Sequence, residues 1–223
     1  MFRRLRLLLR LCLALVILLA CLIAATVIYD SDRPPISNLM AVRFLRGEPV
    51  DRRWVPLSGI SENLIAAVVM SEDGQFCAHH GVDWDSIDSV LHDPDGPSRG
   101  ASTITMQTAK NLFLWPGRSY IRKGLEIPTA LGLEKIWSKR EILQAYLNIA
   151  EWGDGIFGAE AAARAHFKKA ASQLTPREAA LLATALPNPL LRNPAHPNRL
   201  QRNLTATVMA RAASADQWLA CLH

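Results

Sequence analysis

An uncharged apolar run near the start of the chain limits what its first thirty residues can form. Residues 11–29 (LCLALVILLACLIAATVIY) contain no charged side chain. As a helix rising about 1.5 Å per residue, this run is long enough to cross a hydrocarbon core of roughly 30 Å. The alternative is a cleavable signal peptide, since small residues occur at 22–26 (LIAAT). Because the apolar region of a signal peptide is usually only about 7–15 residues long, the sequence predicts an uncleaved transmembrane helix over residues 11–29.

The flanks of this run indicate its orientation. Residues 1–10 carry four arginines and no acid, and Asp30 and Asp32 follow the run. Because basic flanks stay in the cytoplasm, residues 1–10 are expected to be a cytoplasmic segment and residues 30–223 to lie outside. Of the 25 basic residues, 21 remain outside the first segment, against 20 acidic ones. A nearly neutral outer part does not favour nucleic-acid binding, although the whole chain has a pI of about 9.3.

The cysteines give little information about the fold. Cys12 and Cys21 lie in the apolar run, which leaves Cys77 and Cys221 outside it. An oxidising compartment would allow one bridge between these two. Since Cys77 lies in a candidate site motif and Cys221 near the C-terminus, we expect two free thiols.

Beyond the apolar run, the sequence divides into a tether and a helical domain. Residues 30–53 are rich in proline and arginine and show no long period, so we expect a tether, with a short strand around residues 53–55. Over residues 54–223, amphipathic stretches with capping residues follow one another, and Pro128 is expected to kink a helix or start a new one. Thr175, followed by Pro176 at the first helical position, is the expected N-cap of a further helix. The last helix is expected at about residues 199–219. The predicted fold class is therefore mainly α.

The first helical stretch of this domain ends in a carboxylate on its apolar side. Ser61 is the expected N-cap, and one helix face carries Leu64, Ile65, Val68 and Val69. That face continues to Glu72, whereas Asp73 lies one step round and off it. Burial would raise the pKa of Glu72 toward the range in which it exchanges protons near neutrality. The alternative is a helix-end carboxylate that the following loop leaves solvated.

A second acid lies among cations. Arg122 and Lys123 precede Glu126 by four and three residues, which are neighbouring positions on a helix. The pattern is typical either of a surface salt bridge, which contributes little to stability, or of a site for a negatively charged substrate.

Hydroxyl and amide side chains follow Gly100, an expected hinge, and they are Ser102, Thr103, Thr105 and Gln107. Either Ser102 or Thr103 is the expected N-cap of the next helix, and a capped N-terminus binds anions. With Lys110 downstream, this stretch predicts a groove that binds phosphate. The apolar residues 112–115 beyond it are either core or a lip at the lipid headgroups.

The adjacent histidines do not indicate a metal site. His79 and His80 are poorly spaced for one ion, and the sequence contains no H-E-x-x-H motif or Cys/His set at zinc spacing. We expect His79 to fix the loop after Glu72 by hydrogen bonds.

Together, these motifs resemble the peptidoglycan glycosyltransferase family, whose domain also occurs in class A penicillin-binding proteins. The likeness covers about residues 54–200 and consists of five motifs in order. They are E-D-x-x-F-x-x-H-x-G at 72–81, G-x-S-T-I-T-x-Q at 100–107, R-K-x-x-E at 122–126, K-x-x-I-L-x-x-Y-L-N at 139–148 and G-x-x-G-A-E-x-A-A-R at 155–164.

The resemblance implies a lysozyme-like helical lobe and a small membrane-facing jaw lobe around residues 112–120, with a cleft between them. A monofunctional, membrane-anchored member is expected, since no transpeptidase domain follows. The implied reaction joins lipid-linked disaccharides: the 4-hydroxyl of a GlcNAc attacks C1 of the MurNAc that ends the growing glycan. Undecaprenyl diphosphate leaves, and inversion gives a β-1,4 link.

The resemblance also assigns roles to individual residues. Glu72 matches the general base, and Glu126 matches the second glutamate, which orients the cations or helps to hold a divalent ion on the diphosphate. Arg122, Lys123 and Lys110 would meet the charge of the leaving group. The implied substrate-binding set is Asp73, Phe76, His79 and Gly81 around the base, Gly100, Ser102, Thr103 and Gln107 at the donor, Lys110, Asn111, Arg122 and Lys123 near the diphosphate, and Asn148, which with Tyr146 braces the cleft.

This sequence departs from the family pattern at Met106, where a second glutamine is common, so a polar contact there is in doubt. Cys77 and His80 occupy variable positions and receive no catalytic role. Mg²⁺ or Mn²⁺ is expected only with the substrate diphosphate, and no organic cofactor is expected.

The expected partners are lipid II, the lipid-linked glycan, the bacterial inner membrane with the domain on its periplasmic side, and other proteins of cell-wall synthesis or division, but no nucleic acid. The rival hypotheses are a lysozyme-like glycan-cleaving enzyme, which needs no Arg122–Lys123–Glu126 cluster, and a non-catalytic cell-wall adaptor, which needs neither glutamate.

Overall fold

The computed structural model of the chain describes residues 6, 9–17, 36–92, 100–117 and 119–222. The chain forms two units, residues 1–35 and 36–223. In the first unit, residues 9–17 are helical. Within the described ranges, no helix has the length and apolar character needed to cross a membrane. Most of the expected transmembrane helix lies outside the described residues, as do Asp30 and Asp32.

The second unit is mainly helical, as predicted, with one small sheet. Its helices are α1 (Asn38–Leu45), α2 (Glu62–Glu72), α3 (Trp84–Leu91), α4 (Ile104–Phe113), α5 (Tyr120–Leu133), α6 (Lys139–Ile149), α7 (Ala159–Phe167), α8 (Pro176–Ala185) and α9 (Arg199–Ala212). Short 3₁₀ turns occur at Leu57–Gly59, Ala171–Gln173, Asp216–Trp218 and Ala220–Leu222.

Local capping chemistry sets where the main helices begin. The Ser61 hydroxyl accepts a hydrogen bond from Leu64 N at the start of α2, as predicted. Thr103, one of the two expected caps, serves α4. Thr175 caps α8 with Pro176 at the first helical position, as the sequence predicts.

Two groups of helices bring the site residues together. In the first group, α2 packs against α8 and α9, and in the second, α4 packs against α5 and α6. Leu64, Val68 and Val69 on α2 are buried, which confirms most of the predicted apolar face. Because these contacts are largely aliphatic, the hydrophobic effect holds the groups in place. Glu72 ends α2, so it lies where the two groups meet.

The sheet has three short strands in the order β1 (Asp51–Arg52), β3 (Ile156–Phe157) and β2 (Glu151–Gly153). Strand β1 runs parallel to β3, pairing Asp51 with Ile156, and β2 runs antiparallel to β3. The predicted strand at residues 53–55 thus occurs two residues earlier. Helix α1 and β1 lie in residues predicted as a tether, and both belong to the second unit.

The structure excludes one of the two alternatives at Pro128 and corrects the end of the last helix. Helix α5 continues through Pro128, which stands in its interior, so a new helix does not begin there. The last helix ends at Ala212 rather than near residue 219, and a 3₁₀ turn at Asp216–Trp218 follows.

The expectation of two free outer cysteines was also wrong. Cys77 and Cys221 form a disulfide, with their Cα atoms 5.5 Å apart. The bridge arises because the last turns of the chain fold back onto the loop after α2. That contact joins residues 144 positions apart, which no local pattern could indicate.

Candidate active site

A cleft of about 810 Å³ opens where the end of α2, the start of α4 and the first turns of α5 meet. Its lining includes most of the residues that the sequence assigns to the site: Glu72, Asp73, Gly100, Ser102, Thr103, Gln107, Lys110, Arg122, Lys123 and Glu126. Both glutamates and all three expected cations therefore share one cavity.

Glu72 occupies the wall of this cleft as a half-buried carboxylate. Its Oε2 accepts a hydrogen bond from Gln107 Nε2 at 3.1 Å, and Ser71 Oγ lies 3.5 Å from Oε1. Burial raises the pKa of Glu72, while these hydrogen bonds and the charges of Arg192 and Lys110 oppose the rise. The carboxyl group therefore has a raised pKa and a face open to substrate, which suits a general base.

The orientation of Gln107 depends on a buried tyrosine. Tyr146 OH donates to Gln107 Oε1 at 3.1 Å, which leaves the Gln107 amide nitrogen to donate to Glu72. The pKa of Tyr146 is raised well above its usual value by burial, and further by the negative charges of Glu72 and Asp73. The phenol therefore stays protonated as a donor. Gln107, expected at the donor substrate, bonds the base itself.

The loop after Glu72 is built around Asp73, which is buried and not turned away from the core as the helical pattern suggests. Its Oδ2 accepts from Ile104 N at 2.9 Å, and His79 Nε2 lies 2.9 and 3.0 Å from its two oxygens. His79 thus fixes the loop, as predicted. Phe76 is fully buried beneath it, with Lys139 Nζ 4.5 Å from the ring centre.

Gly81 closes the same loop in a conformation that needs glycine. Its φ is +91°, and a Cβ would lie 2.9 Å from Glu134 Cγ and 3.1 Å from Ala130 O. Thr103 Oγ1 donates to Gly81 O at 2.6 Å. Gly81, Phe76 and His79 therefore shape the loop and do not line the cleft.

In the cation cluster, Arg122 and Glu126 are buried whereas Lys123 is exposed, so the cluster is only partly a surface salt bridge. Arg122 Nη1 donates to Glu126 Oε1, and Lys123 Nζ donates to Oε2 at 2.8 Å. Arg122 is 9% exposed and Glu126 is 3% exposed. Lys123 Nζ also reaches Ser102 Oγ at 2.6 Å, which joins α5 to the start of α4. These ion pairs with one buried carboxylate hold the two cationic side chains in place for a charged ligand.

Lys110 links the two glutamates electrostatically. Burial lowers its pKa most, the charges of Glu126 and Glu72 raise it, and those of Arg122 and Lys123 lower it. A bound anion would stabilise the charged form of Lys110, because it compensates for the hydration that burial removes. The cleft thus has a basic half beside the carboxylate of Glu72.

The residues around Glu126 do not fit a protein-bound divalent ion. Both of its oxygens are already engaged by Arg122 and Lys123. Across the described ranges, no group of three or more His, Cys, Asp or Glu side chains could hold a metal. The two ion pairs are the geometry that one of the two roles implied by the resemblance requires, namely that Glu126 orients the cations.

Two further predicted residues lie away from the cleft. Asn148 is fully buried, and its side chain bonds Val55 N, Val55 O and Gln144 O at 2.8–3.0 Å. It braces the fold and has no open atom for substrate. Asn111 is also absent from the cleft lining. Met106 is buried in the core, so neither this methionine nor a glutamine at the same position would face substrate.

Several lining residues carry no motif and were missed by sequence reasoning. They are Asp83 and Ser86 at the start of α3, Pro187 after α8, Arg211 on α9 and Trp218 in the last turns. A pairing of Cys221 with Cys77 would have indicated that Trp218 lies near the site, but the sequence favoured two free thiols.

The described residues form a mainly helical domain whose cleft sets a half-buried glutamate beside a cation cluster, and such clefts are typical of enzyme active sites. The transglycosylase family model matches residues 38–213. The chain is 53% identical over 211 residues to a biosynthetic peptidoglycan transglycosylase of Rhodospirillum centenum, covering 93% of this chain and 91% of the relative.

Relatives of the same name give similar values. One from Brucella suis is 53% identical over 190 residues, covering 84% of this chain and 85% of its own length. One from Rhodopseudomonas palustris is 51% identical over 208 residues, covering 92% and 91%. The chain belongs to the transglycosylase family.

Proposed function

We propose that this protein polymerises peptidoglycan glycan chains from a lipid-linked disaccharide. The observation that carries the proposal is the single cleft that contains Glu72 and the Arg122–Lys123–Glu126 cluster. The names of the relatives, biosynthetic peptidoglycan transglycosylases, support the same activity.

In the proposed reaction, Glu72 is the general base. The 4-hydroxyl oxygen of the acceptor GlcNAc forms a bond to C1 of the donor MurNAc while the bond from C1 to the diphosphate oxygen breaks. The hydroxyl proton passes to Glu72, and the bonding electron pair leaves with the diphosphate. Attack opposite the leaving group inverts C1. An alcohol is a weak nucleophile, so removing its proton as the bond forms lowers the barrier.

The cations are proposed to stabilise the departing diphosphate. Negative charge grows on the leaving oxygen, and preoriented cations in a partly dry cleft stabilise it without reorganising. Arg122 and Lys123 are held by Glu126, and Lys110 adds a third charge. A divalent ion would enter with the substrate and not through Glu126, so no step is assigned to it.

The second candidate is a lysozyme-like hydrolase that uses the same glutamate. A hydrolase acts on glycan without a diphosphate, so it has no use for two cations paired with the buried carboxylate of Glu126. The network therefore favours transfer from a lipid diphosphate.

We propose further that the domain works at the outer face of a bacterial inner membrane, anchored by residues 11–29. Trp115, Tyr120 and Ile121 are exposed in the stretch between the end of α4 and the cation cluster, and they suit contact with lipid headgroups, while Leu112 and Leu114 pack inside. The expected apolar lip thus divides into core and surface. The disulfide between Cys77 and Cys221 is compatible with an oxidising compartment such as the periplasm. Partners in wall synthesis or division are part of this proposal.

The test is polymerisation of lipid II by the full-length protein in detergent with Mg²⁺. Glu72→Gln should reduce the rate by about 10²–10⁴, the usual contribution of a general base. Glu62→Gln, at the exposed start of the same helix, is the matched control and should retain the wild-type rate.

Three outcomes would contradict the proposal. Equal rates for wild type and Glu72→Gln would show that Glu72 is not the general base. Shortening of preformed glycan by the wild type would favour the hydrolase, and polymer from neither protein would favour the adaptor.

A further inference from the structure

The end of the chain forms a wall of the cleft that the proposed chemistry does not use. Arg211 stands in the last turn of α9, and Trp218 ends the 3₁₀ turn that follows. Both line the same cavity as Glu72. We call this pair the C-terminal wall.

The C-terminal wall is anchored firmly for a chain end. Ala215, Leu219 and Leu222 are buried. Arg140 Nη1 donates to Leu222 O at 2.6 Å, and Cys221 is bonded to Cys77. Chain ends usually fray unless they are tied down, so these contacts hold the backbone around Trp218 in one position.

The exposed side chains of the wall suit a sugar and an anion. Trp218 is 37% exposed although Ala215 and Leu219 on either side of it are buried, which leaves indole surface open in the cleft. A flat aromatic face packs against the apolar C–H face of a pyranose ring. Arg211 is exposed, and among the described residues its guanidinium has no hydrogen bond or ion pair. It is therefore free to bind a carboxylate or phosphate.

The disulfide places the wall on the side of Glu72. Cys77 follows Glu72 by five residues, and Cys221 follows Trp218 by three. The departing diphosphate of the donor is provided for elsewhere, by the Arg122–Lys123–Glu126 cluster on α5, whereas the acceptor carries a diphosphate of its own. A sugar at the wall would thus be the one whose hydroxyl faces Glu72.

We propose that the C-terminal wall binds the acceptor, with Trp218 stacked on a sugar ring and Arg211 paired with an anionic group. This inference rests on the proposed function. The anion has two sources in a lipid-linked disaccharide that carries a peptide stem, namely a stem carboxylate and the diphosphate.

The test uses the full-length protein in detergent and measures kcat and KM for lipid II. Trp218→Ala should raise KM by about tenfold and leave kcat within about twofold, because a lost stacking surface weakens binding by roughly one factor of ten. Trp218→Phe should fall between. Trp84→Ala and Arg199→Ala, exposed residues of the same types outside this cleft, should match the wild type.

Arg211→Ala should raise KM by about fivefold, within the range for an exposed ion pair. Repeating the assay with a stem whose carboxylates are amidated separates the two sources. If Arg211 binds the stem, amidation removes the difference between wild type and Arg211→Ala; if it binds the diphosphate, the difference persists.

A binding measurement tests the C-terminal wall independently of polymerisation. In a Glu72→Gln background, the affinity for fluorescently labelled lipid II should fall on adding Trp218→Ala. If wild type polymerises and the wall variants match their controls in KM and affinity, the wall has no substrate role. A fall in kcat with a lowered unfolding midpoint and unchanged affinity would make it purely structural. If wild type forms no polymer, the proposed function fails, whereas the binding measurement still decides the wall.

Discussion

At the scale of single residues, the carboxylate of Glu72 depends on a tyrosine that does not line the cleft. Tyr146 is buried and donates to Gln107, whose amide in turn donates to Glu72. In Tyr146→Phe the Gln107 carbonyl loses its donor, so the amide is no longer held toward Glu72. We expect kcat to fall by about tenfold, the effect of losing roughly one hydrogen bond, with KM unchanged.

The control for this prediction is Tyr120→Phe, which removes the same hydroxyl from a fully exposed ring. It should leave kcat unchanged in the lipid II assay. Equal kcat for both variants would show that Gln107 keeps its position without Tyr146.

The pH profile of the reaction should follow two shifted groups. The pKa of Glu72 is raised by burial, so the active carboxylate forms only above the ordinary glutamate value of 4.5 and the acid limb is displaced upward. The pKa of Lys110 is lowered by burial, so the alkaline limb begins below 10.5. We expect a bell-shaped dependence of kcat/KM.

Lys110→Arg separates the limbs of that profile, because arginine stays protonated throughout the range. The alkaline limb should move to higher pH and the acid limb should stay in place. An alkaline limb unchanged in Lys110→Arg would assign it to another group. The raised pKa of Glu72 also affects the free energy of unfolding. The folded chain keeps the Glu72 proton to a higher pH than the unfolded chain does. The free energy of unfolding therefore declines as the pH rises above 4.5 and the folded carboxyl group loses its proton.

At the scale of secondary-structure elements, one hydroxyl joins the start of α4 to the loop beside the base. Thr103 Oγ1 accepts from Met106 N at 3.1 Å and donates to Gly81 O at 2.6 Å. Thr103→Ala should cost about 1–2 kcal/mol of unfolding free energy, since a cap is lost. It should also lower kcat, because the loop that follows Glu72 is no longer tied to α4.

Thr175→Ala is the matched variant for this prediction. Thr175 caps α8 through Glu178 N and makes no contact with the cleft. It should lose a similar unfolding free energy in urea titrations while retaining kcat. If the two variants have the same kcat, the bond to Gly81 does not serve the site.

At the scale of the whole molecule, the disulfide between Cys77 and Cys221 closes a loop of 144 residues. Replacing both cysteines with serine should lower the free energy of unfolding by about 2–4 kcal/mol, mainly because the unfolded chain regains conformational freedom. The double variant should also raise KM for lipid II, since the backbone that carries Trp218 loses its tether.

Reductant provides the control for this prediction. Adding it to the wild type should lower the denaturation midpoint toward that of the double variant, and the double variant should not respond. A wild type whose stability and KM ignore reduction would show that the buried residues and Arg140 hold the chain end without the bridge.

The sequence by itself determined the features that arise from contacts within a few residues. The N-caps Ser61 and Thr175 and the apolar face leading to Glu72 followed from local chemistry, because a cap bonds its own first turn and a helix face repeats every three or four residues. The same local spacing predicted the cluster of Arg122, Lys123 and Glu126.

Only the tertiary structure decided which distant groups meet. Asp73 is buried because Ile104 N lies against it, Gln107 faces the base because Tyr146 holds it, and Trp218 enters the cleft because Cys221 pairs with Cys77. These partners lie between 31 and 144 positions apart. Spacing in the chain carries no information about such contacts, because the packing of whole helices sets them. The residues next to each partner in the sequence do not show which distant group it will meet.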